Sequence, residues 1–123
     1  MSKKVLDVGN CGPDFATITN YLTSNFDCIV EQAHGTSDAL TKLKADQFDL
    51  VTINRKLDAD YSDGVEVLKA IKADAEVAAV PVMLVTNMAE HQDAAIELGA
   101  IRGFGKLEYD KPETKEKVAS VLG

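Results

Sequence analysis

Apolar positions along the chain follow two alternating spacings. Short, mostly apolar runs recur five times: Val5-Leu6-Asp7-Val8, Cys28-Ile29-Val30 continued less regularly through Glu31-Gln32-Ala33, Phe48 to Ile53, Val80 to Thr86, and Ile101 to Gly105. Their length and β-branched content predict buried strands. Between them lie sets spaced for one face of a helix: Phe15, Ile18, Tyr21 and Leu22; Ala39, Leu40 and Leu43; Val65, Val67, Leu68 and Ile71; Ala94, Ala95, Ile96 and Leu98; and Val118, Val121 and Leu122. Punctuation agrees with this reading. Gly9 to Pro13 breaks the first strand, and Asp14 is the expected cap of the first helix, with Thr36 or Ser37 capping the second. Gly64 opens the third helix, Gly99 closes the fourth, and Asp110, with Pro112 in the first turn, caps the last. Pro81 stands at a strand entrance, where a missing donor is tolerated. The fifth run carries two glycines and is expected to be weak or irregular.

Five strands alternating with five helices predict a single α/β domain over residues 1–123, with a parallel sheet covered on both faces and right-handed crossovers. In such sheets chemistry gathers outside the carboxyl ends of the strands. Gly9-Asn10, Asn54, Thr86 and Lys106 should therefore meet at one edge. The central strand ends at Asn54 and is followed by the polar loop Arg55 to Asp63.

Composition narrows the function classes. The chain has 123 residues, 46% of them hydrophobic, enough for a core without disulfides or metal. A net charge of −7 and a pI near 4.7 oppose nucleic acid and anionic membrane as direct partners. Only 6% is aromatic, with no tryptophan, which disfavours a base-stacking platform. Cys11 and Cys28 have neither metal-ligand nor disulfide-framework spacing, so a reduced, cytoplasmic setting is expected. No stretch has the length of a signal-peptide core or a membrane span. Asp58 to Gly64 superficially resembles a calcium loop, but its glycine is one position late and Lys69 stands where the bidentate glutamate belongs. His34 and His91 lack a nucleophile-elbow context, and no Walker or dinucleotide fingerprint is present. No cofactor is expected, and no enzymatic activity.

The ordered landmarks resemble the receiver domain of bacterial two-component response regulators, over essentially the whole chain. They are Val30-Glu31-Gln32-Ala33 with Gly35 and Ala39-Leu40; Phe48-Asp49-Leu50-Val51; Asp63-Gly64 before Val67-Leu68-Lys69-Ala70-Ile71-Lys72; Val80 to Thr86; and Leu98-Gly99-Ala100 with Lys106 beyond. The resemblance implies a doubly wound sheet in flavodoxin-like order 2-1-3-4-5. It also implies a phosphoryl-accepting aspartate after the third strand, an acidic pair after the first to hold Mg²⁺, a Thr or Ser after the fourth, and a Lys after the fifth.

This chain departs from that pattern. The acidic pair falls on Gly9 and Asn10 and the acceptor on Asn54; only Thr86 and Lys106 keep the expected types. An amide oxygen carries no full charge and cannot form the acyl phosphate, and Mg²⁺ prefers carboxylate oxygens that the aligned positions lack. Gly103 occupies the family's aromatic switch position, and Phe104, one residue along, should face the other side of the sheet. Leu107 replaces the proline that commonly follows the Lys. The loop after Asn54 is about two residues longer than usual, and the stretch from Thr86 to Gly99 about two shorter.

The expectation is a receiver-like signalling module that works without phosphorylation, through a protein partner or a homodimer. By analogy with the family, the surface is the face of the fourth helix, fifth strand and fifth helix, with Pro112 to Leu122 its central element. Two alternatives stay open. One is a phosphorylatable receiver using displaced acids such as Asp7, Asp14 or Asp58 with Mg²⁺. The other is a sensor whose pocket of Asn10, Asn54, Thr86 and Lys106 holds a small anion or nucleotide. Asn54 also has a purely local reading, as a strand-end residue satisfying nearby hydrogen bonds. Asp7, inside the first strand, requires a partner wherever it lies, because a lone buried charge is costly.

Overall fold

A computed structural model describes residues 2–123. Strands and helices alternate as β1 (Lys3–Val8), α1 (Gly12–Asn25), β2 (Cys28–Ala33), α2 (Thr36–Ala45), β3 (Leu50–Asn54), α3 (Val65–Ala73), β4 (Val82–Val85), α4 (Ala89–Glu97), β5 (Ile101–Phe104) and α5 (Pro112–Leu122). All strand pairs are parallel, and the sheet order is β2-β1-β3-β4-β5. This is the doubly wound, flavodoxin-like arrangement expected from the alternation.

Strand alternation divides the core into two layers. Leu6, Val8, Val51, Ile53 and Leu84 pack with residues of α2, α3 and α4, including Leu43, Val67, Leu68, Ile71 and Ala95. Val5, Leu50, Met83, Val85 and Phe104 pack instead with Ile18 and Leu22 of α1 and Val118 and Leu122 of α5. The stripes read from the sequence for α1, α2, α3 and α5 thus face the sheet, whereas in α4 only Ala95 of its stripe is buried, together with Gln92, and Ala94, Ile96 and Leu98 lie exposed. Each fully buried Leu or Ile contributes roughly 1.5–3 kcal/mol of transfer free energy, so these two layers carry the fold.

Several boundaries differ from the sequence reading for local reasons. Cys11, not Asp14, is the residue before α1, because Pro13 with its fixed φ serves the first turn; Asp14 lies inside that turn. Gly35 precedes α2, and Thr36 is already helical. The Asp38 carboxylate accepts from the backbone N–H groups of His34 and Gly35, at 2.8 Å each, which supplies the cap from within the first turn. Lys111 rather than Asp110 precedes α5, with Pro112 as its first residue. Helix α4 begins at Ala89, five residues before its apolar stripe, because its opening turn is polar. Gly99 follows α4 with φ +106°, the left-handed conformation that ends a helix. Strand β5 is irregular as expected, its register shifting between Met83 and Val85 of the neighbouring strand.

Candidate functional site

Four loops meet beyond the carboxyl ends of β1, β3, β4 and β5. The β1 end is unusually tight. Gly9 has φ +86°, and a Cβ there would sit 2.3 Å from Leu57 Cδ2, so the β3–α3 loop lies directly on its backbone. The Gly9 carbonyl fixes that contact by accepting from Asp58 N–H at 2.8 Å. The position at which the resemblance implies a carboxylate is therefore packed shut by Leu57.

Asn10 is buried and turned inward. Its Nδ2 donates to both carboxylate oxygens of Asp7, at 3.0 and 2.8 Å, while its own Oδ1 is buried without a partner. Asp7 is fully buried within β1 and also accepts from Thr52 Oγ1 at 2.8 Å, across the pair that β1 and β3 make at these two residues. Burial pushes the Asp7 carboxyl up to about 6, against the opposing pull of the Asn10 and Thr52 hydrogen bonds and the more distant Lys106 charge. The partner that the sequence demanded for Asp7 is thus an amide and a hydroxyl, not a cation.

Lys106 pairs with Asp14, Nζ to Oδ2 at 2.7 Å. That bond, the largest influence on Asp14, holds its carboxyl below the ordinary value. Two of the displaced acids considered from the sequence are therefore occupied, Asp7 by neutral donors and Asp14 by Lys106.

Asn54 ends β3 and donates through Nδ2 to the Lys56 carbonyl at 2.6 Å. Gly64 presses against the Asn54 carbonyl, where an added Cβ would lie 2.1 Å away. Thr86 is nearly buried; its N–H bonds the Phe104 carbonyl at 3.0 Å, and its Oγ1 accepts from Met88 N–H at 3.2 Å. Asn54, Thr86 and Lys106 line one open cavity of about 310 Å³ together with Arg55, Lys56 and Asn87. The edge predicted from the sequence does assemble, but Gly9 and Asn10 do not line this cavity. Arg55, Lys56 and Asn87 were not singled out beforehand.

Mg²⁺ does not suit this set of groups. Mg²⁺ needs hard anionic oxygens, whereas the charged side chains on the cavity are Arg55, Lys56 and Lys106. Among the described residues, no cluster of three or more His, Cys, Asp or Glu side chains could hold a metal.

The route leading away from the site also has its own construction. Gly103 leaves no space for a side chain, since a Cβ there would lie 2.4 Å from the Leu84 carbonyl. Phe104 is fully buried on the α1 and α5 side against Tyr21 and Tyr109, with ring centroids 6.4 and 5.8 Å away. On the other side, buried Gln92 of α4 joins β4 to the edge strand β5. Its Nε2 donates to the carbonyls of Leu84 and Thr86 at 2.9 and 3.2 Å, and its Oε1 accepts from Gly103 N–H at 2.8 Å. Sequence reasoning missed Gln92 because its polar side chain gives no hydrophobic signal within a mostly polar helix.

Solved structures with the same fold cover almost the entire chain. A putative response regulator from Chloroflexus aurantiacus matches with TM-score 0.84 and 18% identity, covering 99% of this chain and 98% of that one. A response regulator receiver protein from Pseudomonas putida gives TM-score 0.78 and 19% identity, with 98% of each chain covered. The Vibrio cholerae chemotaxis response regulator CheY4 gives TM-score 0.75 and 21% identity over all of both chains. At these identities the structural matches show the fold alone. Family membership comes from the sequence profile of the response regulator receiver domain, which matches residues 13–119, and the chain therefore belongs to that family.

Proposed function

We propose that this receiver domain is a signalling module that acts through protein contacts and does not pass through an aspartyl phosphate. One observation carries the reading: β3 ends in the Asn54 amide, inside a cavity whose charged lining is wholly cationic. Without a carboxylate at that point there is no nucleophile for phosphoryl transfer, and without anionic oxygens beside it there is no seat for the metal. Gly9 supports the same reading, because Leu57 occupies the space in which an acidic side chain would stand. On this account the domain is not an enzyme and needs no cofactor.

The partner surface assigned here is the face of α4, β5 and α5. Ile96, Leu98 and Ile101 leave apolar side chains partly exposed there, and α5 presents Lys115 and Glu116 to solvent. The fit is to another protein or a second copy of the chain, rather than nucleic acid or lipid, given the net charge of −7. No described helix is long and apolar enough to cross a membrane. Two free cysteines, one of them buried, suit a reducing cytoplasmic setting.

An amide NMR titration with Mg²⁺ tests the site. The expected result is no saturable shift at residues 9, 10, 54, 86 and 106; saturable shifts there would show that displaced carboxylates rebuild a metal site.

A further inference from the structure

The cavity beyond Asn54 has the wrong sign for its surroundings. The chain carries 20 acidic residues against 13 lysines and arginines, so a random stretch of its surface leans acidic. Yet the charged residues lining this cavity are Arg55, Lys56 and Lys106, with no carboxylate among them. Lys106 is already held by Asp14 at 2.7 Å, but among the described residues neither Arg55 nor Lys56 takes part in an ion pair, whereas six further pairs form elsewhere. Acids of the same loop are turned toward their own neighbours: Asp60 accepts from the N–H and hydroxyl of Ser62, and Asp63 from Val65 N–H.

Three further features favour an oxyanion. Thr86 hydroxyl and Asn87 amide stand on the β4 side of the same cavity. Helix α4, nine residues long, starts just beyond Met88 with no side-chain cap, so its positive end adds to the field of the cations. A volume of about 310 Å³ lies at the small end of ligand cavities and admits a phosphate-sized group.

We propose that this cavity binds a small phosphate-type dianion non-covalently and without a metal, with Arg55 and Lys56 as its free cationic contacts beside the Lys106 that Asp14 already holds. The inference rests on the preceding reading that Asn54 is not a phosphoacceptor, and extends it: the charge once carried by a covalent group is supplied by a free ligand. Arginine suits the role because its planar fork matches two oxygens of one phosphate. Binding at an open site must weaken as salt rises.

The test is an amide NMR titration in EDTA with inorganic phosphate and, separately, phenyl phosphate, using chloride at matched ionic strength as the control. Saturable shifts at residues 54 to 56, 86 to 88 and 106 are expected with either phosphate and not with chloride. Tighter binding of phenyl phosphate would assign the site to an organic monoester, and equal binding to the free ion. The Arg55→Gln/Lys56→Gln double variant should bind about tenfold more weakly, as expected for two partly exposed charge contacts, while Lys69→Gln on the exposed side of α3 should bind normally. If the double variant is poorly folded, the salt dependence of the wild-type protein decides instead. Chloride reproducing the shifts, undiminished binding by a folded double variant, affinity indifferent to salt, or a requirement for Mg²⁺ would each overturn the proposal. A covalent mass gain with acetyl phosphate is a different failure: it would defeat the phosphorylation-independent reading, and this inference with it.

Discussion

Asp7 is the residue at which the environment decides the chemistry. Its carboxyl is raised to about 6 in the folded protein from 3.8, mainly by burial. The folded state therefore holds this proton more tightly than the unfolded chain does. The stability associated with the proton is fully present below about pH 4 and is lost as pH rises through about 6. Asp7→Asn should remove that loss. Relative to wild type, the variant should gain stability between pH 4.5 and 7, by about 2 kcal/mol, read as the difference between urea melts at the two values. The difference isolates Asp7 from surface acids such as Asp14, Asp46 and Asp74, whose lowered values act in the opposite direction. A constant gap between the two proteins would mean that Asp7 titrates as an ordinary carboxylate. Gly64 offers a second residue-scale check. Its backbone is helical, so only space forbids a side chain, and Gly64→Ala forces a methyl against the Asn54 carbonyl. A loss of about 1–3 kcal/mol by chemical denaturation is expected, with amide shifts centred on Asn54.

At the scale of elements, Gln92 ties α4 to β4 and β5 through three hydrogen bonds. Gln92→Leu keeps similar bulk but leaves Gly103 N–H and the two carbonyls without this partner. Each buried orphan costs about 1–3 kcal/mol, so the global loss should reach about 2–4 kcal/mol and the Gly103 amide should exchange faster with solvent. Unchanged exchange at Gly103 would show that this link is not what holds the edge. The elements themselves were largely legible, because period-2 and period-3.6 patterns survive in a chain whose helices each bury one face. The start of α4 was not, since its opening turn, Ala89-Glu90-His91, is almost entirely polar and carries no stripe. The candidate site was legible in part. Strand ends placed Asn54, Thr86 and Lys106 together, but the Asp7–Thr52 bond depends on strand register, and the Lys106–Asp14 pair joins residues 92 apart in sequence. Arg55 and Lys56 looked like ordinary loop polarity until the loop was seen folding over the end of β1.

For the whole molecule, the family's fold is retained, and the proposed function turns on the groups at its carboxyl edge. On the proposed reading Gly9, Asn10 and Asn54 stand where the family resemblance implies carboxylates, and at position 103 the β4 backbone leaves no space for a side chain. On the same proposed reading, the α4, β5 and α5 face is the docking surface. Lys115→Glu with Glu116→Lys exchanges charges on α5 without changing the net charge, and it should abolish binding of a partner that uses this face. Retained affinity, measured by calorimetry with an identified partner, would move the interface elsewhere.

The most direct measurement is intact mass after incubation with acetyl phosphate and Mg²⁺, recorded before an acyl phosphate could hydrolyse, for the native chain. An unchanged mass is the predicted result, because no carboxylate stands at the end of β3 to be phosphorylated. A species heavier by one phosphoryl group, mapped to Asp7, Asp14 or Asp58, would contradict a phosphorylation-independent receiver.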